Sequence, residues 1–334
     1  MTESIEKMLA QWETDCDAGK VIDLTDAMMQ VTLQIVVKAL FSTALSDEDL
    51  QTVGATFPPL LAATNRRAIL PFQWLYALSL SSNKNYQGYI DKLDKIIFRI
   101  IRHRRASNDK PMDLLQMLME ATDDETGQPL TDDELRNEAM TMFIAGHETT
   151  ANAMSWLWSI LPRQTVVRTN LEREVDAVLG KRAPNASDYP NLSYCLKVFK
   201  ETMRLYPPVP MLPRHVERDH NLGEYHIEGG SDLFFSPYLL HRHPDFWSQP
   251  ELFDPHRFDQ ESHREQHSFA YIPFGGGPRI CLGNNFALME AVFITAMVTQ
   301  KFRLNVVNGA KIEPLMSLTT RPKYGISVRL ERRP

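Results

Sequence analysis

Phe274-Gly275-Gly276-Gly277-Pro278-Arg279-Ile280-Cys281-Leu282-Gly283 is the most informative run in this 334-residue chain. Its three successive glycines carry no Cβ, so the backbone can approach a flat, bulky object closely. Cys281 stands just before a predicted helix, whose N-terminal amides and dipole favour a thiolate. Amides after the cysteine, that of Gly283 among them, can donate hydrogen bonds to the sulfur and tune its electron donation. Arg279 is placed to pair with an anionic edge. A glycine-rich turn can also cradle phosphate, but such loops need no cysteine and usually follow a strand and end in Lys-Ser/Thr. Taken alone, the decapeptide fits a structural turn as readily as a ligand site, and the rest of the chain has to decide.

Upstream, Ala145-Gly146-His147-Glu148-Thr149-Thr150 falls inside the longest helical pattern. A helix-interior glycine costs about 1 kcal/mol against alanine, so Gly146 needs a reason. Threonine hydroxyls bond back to the preceding turn and loosen a helix locally, and Gly146 with Thr149 would open a small groove. The plain alternative is a helix packed tightly at Gly146 with a solvated Glu148. Further on, Glu201-Thr202-Met203-Arg204 sets a carboxylate and a guanidinium three residues apart, ordinarily a surface pair worth about 0.3 kcal/mol. Arg257 lies in Phe253-Asp254-Pro255-His256-Arg257-Phe258, and Arg214 follows Pro213. A plain surface arginine is a fair rival reading for Arg214.

Together these runs resemble the cytochrome P450 family. Phe274, Gly277, Arg279, Cys281 and Gly283 fall on its heme-loop pattern, Phe-x-x-Gly-x-Arg-x-Cys-x-Gly. Ala145, Gly146, Glu148 and Thr149 fall on its oxygen-binding motif, Ala/Gly-Gly-x-Asp/Glu-Thr. Glu201, Arg204 and Arg257 match its Glu-x-x-Arg pair and the arginine downstream, and all the motifs come in the family's order. The resemblance implies heme b (iron protoporphyrin IX) as cofactor, with Cys281 as the axial iron ligand and Phe274 near the sulfur. Arg279 and Arg214 would face heme propionates, Gly275 belongs to the loop, and Ala145 and Gly146 would border bound oxygen. Thr149 would hold a hydrogen-bond network there and Glu148 would help to deliver protons. Glu201, Arg204 and Arg257 would form a buried structural network.

The implied reaction is monooxygenation, the insertion of one atom of O2 into a hydrophobic small-molecule substrate. No flavin or iron–sulfur segment is visible, so electrons are expected from a separate donor, of ferredoxin or flavodoxin type or a reductase. Residues 209–212 and 315–318 match positions that line the family's substrate pocket, and their apolar composition agrees with a hydrophobic substrate. Two other readings stay open. One is a truncated heme-binding protein without turnover; the other is a peroxygenase or heme-dependent isomerase on the same fold, which the Glu148-Thr149 pair disfavours. His147 occupies a variable slot of the oxygen motif and is not expected to bind iron. Family members carry a further N-terminal region before the part matching Met1, so the chain is expected to be N-terminally truncated.

Composition bounds the rest. With 43% hydrophobic residues the chain can bury a sizeable core, and it is expected to be a single domain over residues 1–334, mainly α, with a few small late strands. A formal charge of −6 argues against a nucleic-acid partner. Cys16, Cys195 and Cys281 lie far apart, which is neither a disulfide framework nor a zinc pattern and points to a reducing, cytoplasmic setting. A monomer is expected. No apolar run is expected to reach the roughly 18–20 residues that cross a bilayer, and the apolar stretch 68–80 is too short. The basic cluster 102–105 reads as a solvated helix end. His241, His243, His263 and His267 read as surface-loop residues without a metal.

Apolar spacing predicts helices over 23–41, 47–61, 86–105 and 111–121, with an interruption from Phe57-Pro58-Pro59 to Pro71. Thr131 and Glu134 form a capping box that opens a helix over 135–161, with Pro162 near its end. Helices are also predicted over 166–179, closed by Gly180, and over 193–205 and 284–302. Short β-rich stretches predict strands at 225–227, 233–236 and 324–330.

Overall fold

Side-chain caps open the helices that follow Asp113, Thr131 and Ser236. The computed structural model describes residues 1–42, 46–69, 80–122, 127–259 and 267–333; His263 and most of the stretch 68–80 lie outside them. The chain divides into two compact units, Met28–Glu148 and a second made of Met1–Ala27 with Thr149–Pro334.

The first of these units holds most of α2 (Leu24–Phe41), then α3 (Asp47–Ile69), α4 (Leu80–Ala106), α5 (Leu114–Glu120) and the start of α6 (Asp132–Ile160). Its core joins Val36, Val37 and Leu40 of α2 to Phe57 of α3, Ile97 and Ile101 of α4, and Phe143 of α6. The capping box forms: Glu134 N–H donates to Thr131 Oγ1 (3.3 Å) and Thr131 N–H to Glu134 Oε2 (2.8 Å).

Two expectations are corrected here. The helix α3 runs through Pro58-Pro59 without a break. Val53, Phe57 and Leu60, at helical spacing across the prolines, are all buried in the core, so tertiary packing outweighs the two missing backbone donors. The basic cluster at the end of α4 is not wholly solvated: Arg104 is buried and forks onto Asp113, Nη1 to Oδ1 at 2.8 Å and Nη2 to Oδ2 at 2.7 Å. Helix α2 is, by length and composition, apolar enough to cross a membrane. Its apolar residues Val31, Ile35, Val36, Val37 and Leu40 are nevertheless buried, which accounts for that composition as a core helix.

The other unit begins with α1 (Thr2–Asp17) and β1 (Val21–Asp23) and resumes with the end of α6. A 3-10 turn, Leu161–Arg163, carries Pro162, and α7 (Thr165–Leu179) ends at Gly180, whose φ of +56° suits glycine. Then follow α8 (Ser193–Leu205), strands β2 (Leu212–His215), β3 (His220–Leu222), β4 (Tyr225–Ile227) and β5 (Asp232–Phe235), and a short α9 (Pro237–Leu240). The chain closes with α10 (Asn284–Lys301), β6 (Phe302–Val306), β7 (Pro314–Met316), β8 (Thr320–Pro322) and β9 (Ser327–Arg332). Among the described residues all pairing is antiparallel. The sheet β1-β9-β6 sets Val21 opposite Arg329 and Phe302 opposite Arg332, so it ties the first residues to the last; β2-β5, β3-β4 and β7-β8 are two-stranded. Every residue of α10 from Glu290 to Thr299 is buried, which makes it the central core helix of this unit.

Candidate functional site

The cysteine loop is built from its backbone. Gly275 N–H donates to the Ile272 carbonyl (3.1 Å), Ile280 N–H to that of Gly277 (3.1 Å), and Cys281 N–H to that of Phe274 (2.9 Å). Gly275 and Gly277 have φ of +74° and +68°, a region that side chains rarely adopt. Gly276 is extended, and a Cβ on it would stand 3.3 Å from the Phe269 ring. The turn and its packing therefore already require these glycines. At the loop's end Cys281 is exposed, a free thiol just ahead of α10, between exposed Ile280 and Leu282. Gly283 lies against the sulfur, since a Cβ there would be 3.9 Å from Sγ.

A strand of the same unit reaches this loop. Leu212, at the start of β2, lies 3.8 Å from where a Gly275 Cβ would be, and Arg214 follows two residues along the same strand. Arg214 and Arg279 are both exposed. Thr320 N–H donates to the Pro208 carbonyl (2.9 Å), and Trp156 Nε1 on α6 donates to the Thr320 carbonyl (3.1 Å). Tyr206 stacks on Trp156 with ring centroids 4.1 Å apart. Residues 209–212 and 315–318 are thus pinned beside the second half of α6, with Met211, Met316 and Leu318 exposed.

Along α6, Ala145 is exposed and Thr149, one turn on, is half-buried, whereas Glu148 is buried. Gly146 is accounted for by packing: Val36 Cγ2 lies 2.8 Å from where its Cβ would be. His147 is buried with its ring edge-on to Phe57 (4.4 Å between centroids) and its Nδ1 3.2 Å from the Phe143 carbonyl. Burial pushes its imidazole down to about 4, so it is neutral at physiological pH.

Glu201 and Arg204 on α8 are wholly buried and bonded twice, Nε to Oε2 at 2.7 Å and Nη2 to Oε1 at 2.8 Å. Arg204 spends its remaining N–H groups on the carbonyls of His241 (2.9 Å), Pro250 (2.7 Å) and Leu252 (3.0 Å). Arg257 Nε approaches Glu201 Oε1 at 3.4 Å, and Asp254 N–H donates to the same oxygen (2.8 Å). The three residues singled out in the sequence are therefore one cluster. The surface-loop reading of His241 is corrected: the residue is fully buried against this cluster, and burial pushes its imidazole down to about 3. Nothing in its local sequence separates it from His243; only the fold reveals it. His243 and His267 are solvent-facing, and among the described residues there is no cluster suited to a metal ion.

An exposed thiol between two exposed aliphatic side chains, with arginines on two adjoining segments, fits a large apolar group that has an iron centre and an anionic edge. The sequence model of the cytochrome P450 family matches residues 1–329. The chain belongs to the cytochrome P450 family. Cyclooctatin synthase of Streptomyces melanosporofaciens is 36% identical over 331 residues, 96% of this chain and 72% of that protein. Cyclooctat-9-en-7-ol 5-monooxygenase of the same organism is 30% identical over 304 residues, 91% of this chain and 65% of that protein. The crystal structure of the cytochrome P450DA heme domain superposes with a TM-score of 0.89 at 27% identity, covering all of this chain and 72% of that one. The fold is thus the mainly helical P450 fold, and the family is one of heme-iron oxidoreductases. The chain spans 65–72% of the length of these relatives.

Proposed function

We propose that the chain is a heme-thiolate monooxygenase that inserts one atom of O2 into a hydrophobic small molecule, with electrons from a separate donor. The exposed Cys281 thiol at the end of its glycine turn carries this reading. Heme b would be held by Cys281 at the iron and by Arg279 and Arg214 at the propionates, with Phe274 packed near the sulfur and Gly283 leaving room beside it. When bound, heme supplies oxygen activation, and a thiolate ligand favours O–O cleavage.

The other steps fall to side chains. Thr149, on the open face of α6 with Ala145, would hold a hydrogen-bonded proton beside the reacting oxygen. Glu148, buried one residue away, would replenish it. Met211, Met316 and Leu318 would bury an apolar substrate and exclude water. A relative named for an oxygenation of cyclooctat-9-en-7-ol supports a hydrocarbon-rich substrate. Glu201, Arg204 and Arg257 would keep the segment that leads to the cysteine loop in place.

The test is the absorption spectrum of the reduced, carbon monoxide-treated protein reconstituted with heme. A strongly red-shifted Soret band that disappears in Cys281→Ala is the expected result. Failure of the wild-type chain to bind heme would overturn the proposal. Heme binding without substrate oxidation by any electron donor would favour a binding protein instead. Thr149→Ala is expected to uncouple oxygen consumption from product, and unchanged coupling would remove the proton role from that residue.

A further inference from the structure

His241 joins two parts of one unit that the sequence keeps thirty residues apart. Its carbonyl accepts from Arg204 Nη1 (2.9 Å), which ties it to the buried Glu201–Arg204 pair. Its Nε2 accepts the amide proton of Ile272 (2.9 Å), at the entry to the cysteine loop. The Ile272 carbonyl in turn accepts from Gly275, and the Phe274 carbonyl accepts from Cys281. The preceding residue is held from the same side: Tyr271 Oη donates to the Lys200 carbonyl of α8 (2.9 Å), and its ring lies 5.1 Å from that of His241. A continuous run of hydrogen bonds therefore leads from α8 through His241 to the amide of Cys281.

The residue type matches this task. Pro273, next in the chain, has no N–H, and the part-buried Ile272 amide before it finds its acceptor in the His241 ring. A neutral imidazole with its proton on Nδ1 offers Nε2 as that acceptor. Burial, together with the nearby cations Arg204 and Arg242, keeps the ring neutral, and the backbone of Met203 and Arg204 lies near it, while Nδ1 meets no partner within hydrogen-bond distance among the described residues.

We propose that His241 is a positioning residue for the Cys281 loop: by accepting the Ile272 amide proton it fixes the loop entry against the Glu201–Arg204 pair and so sets where the sulfur is presented. The consequence for iron ligation rests on the heme-thiolate reading above; the hydrogen bond does not.

Two variants separate the roles of the ring nitrogens. In His241→Gln the amide oxygen reaches the place of Nε2; in His241→Asn it reaches only the place of Nδ1. Backbone hydrogen exchange is read at Ile272, Gly275 and Cys281 in the heme-free 334-residue chain. The asparagine variant is expected to speed exchange at Ile272 about ten-fold, with Cys281 moving the same way, and the glutamine variant to stay within about two-fold of wild type. In the heme-loaded carbonyl complex, only the asparagine variant is expected to lose part of the thiolate band. Equal exchange in the two variants overturns the proposal, as does equal acceleration at Ile272 in Val198→Ala, a core change elsewhere on α8. A wild-type measurement needs no variant to fold: 15N shifts of the imidazole should report the Nδ1–H tautomer, and an Nε2–H tautomer overturns the assignment. If the wild-type chain binds no heme, the spectral arm falls with the proposed function, and the exchange and tautomer arms still decide for His241.

Discussion

Val36 on α2 occupies the space that a side chain on Gly146 of α6 would need, its Cγ2 only 2.8 Å from the place of the missing Cβ. Val36 is buried and β-branched, so it cannot swing aside cheaply. Gly146→Ala gains about 1 kcal/mol of helix propensity and incurs overpacking of about 1–3 kcal/mol. A net loss of about 1 kcal/mol in urea unfolding is expected. Val36→Ala in the same chain should relieve it, with a coupling of about 1 kcal/mol in the double-mutant cycle. Strict additivity would show that the two residues do not compete for this space.

Arg204 uses all of its donors, on Glu201 and on the carbonyls of His241, Pro250 and Leu252, with no exposed side-chain surface. Lysine keeps the charge but has one nitrogen and no fork. Arg204→Lys leaves at least two buried acceptors unmet and should cost about 3 kcal/mol or more. A urea midpoint equal to that of wild type would contradict this account of the cluster.

Asp113 is held by four donors: both Nη groups of Arg104, Ser42 Oγ (2.8 Å) and the Gln116 amide (2.9 Å), the last as N-cap of α5. Although burial works against its charge, the Arg104 guanidinium and the two other donors hold its carboxyl below the usual range. Asp113→Leu alone strands a buried guanidinium and should cost about 3–5 kcal/mol. Adding Arg104→Met removes the stranded charge, and most of that loss should return, short of about 1 kcal/mol for the lost cap. A double variant no more stable than the single one would mean that the pair itself is stabilising.

Local chemistry explains what could be read from the sequence. Thr131 and Glu134 cap α6 because both partners lie within one turn, and α8 has the predicted bounds, 193–205, because Pro207-Pro208 follows it. The cysteine loop was legible because its residue types sit in one decapeptide. Strands such as β1 and β8 were not, since three residues carry little pattern and their partners lie elsewhere in the chain. Arg104 and His241 show the same limit. Each looks like a surface residue until a segment that sequence cannot place, Asp113 for one and Ile272 for the other, closes over it. The unbroken α3 is the converse case, in which Val53, Phe57 and Leu60 hold together a helix that Pro58-Pro59 would end in isolation.

Two buried histidines make stability depend on pH well above the carboxylate range. Burial lowers His241 from 6.5 to about 3 and His147 from 6.5 to about 4. Both are neutral when folded, whereas the unfolded chain takes up a proton at each as pH falls through 6.5. At these two sites the unfolded state therefore binds more protons from about pH 6.5 down to the folded values, and their contribution to stability drops across that window; Glu290 and Glu201, whose carboxyls burial raises, act in the opposite sense. Each histidine contributes about 1.4 kcal/mol per pH unit at full slope. Asp113 acts in a separate window: with its folded value depressed, its contribution is full above the unfolded value of 3.8 and is lost below it. Urea midpoints measured from pH 7 to pH 5 should show the His147 part directly: wild type should lose more stability on acidification than His147→Leu. A pH 7 to pH 5 slope unchanged in His147→Leu would falsify the neutral, buried state of that ring.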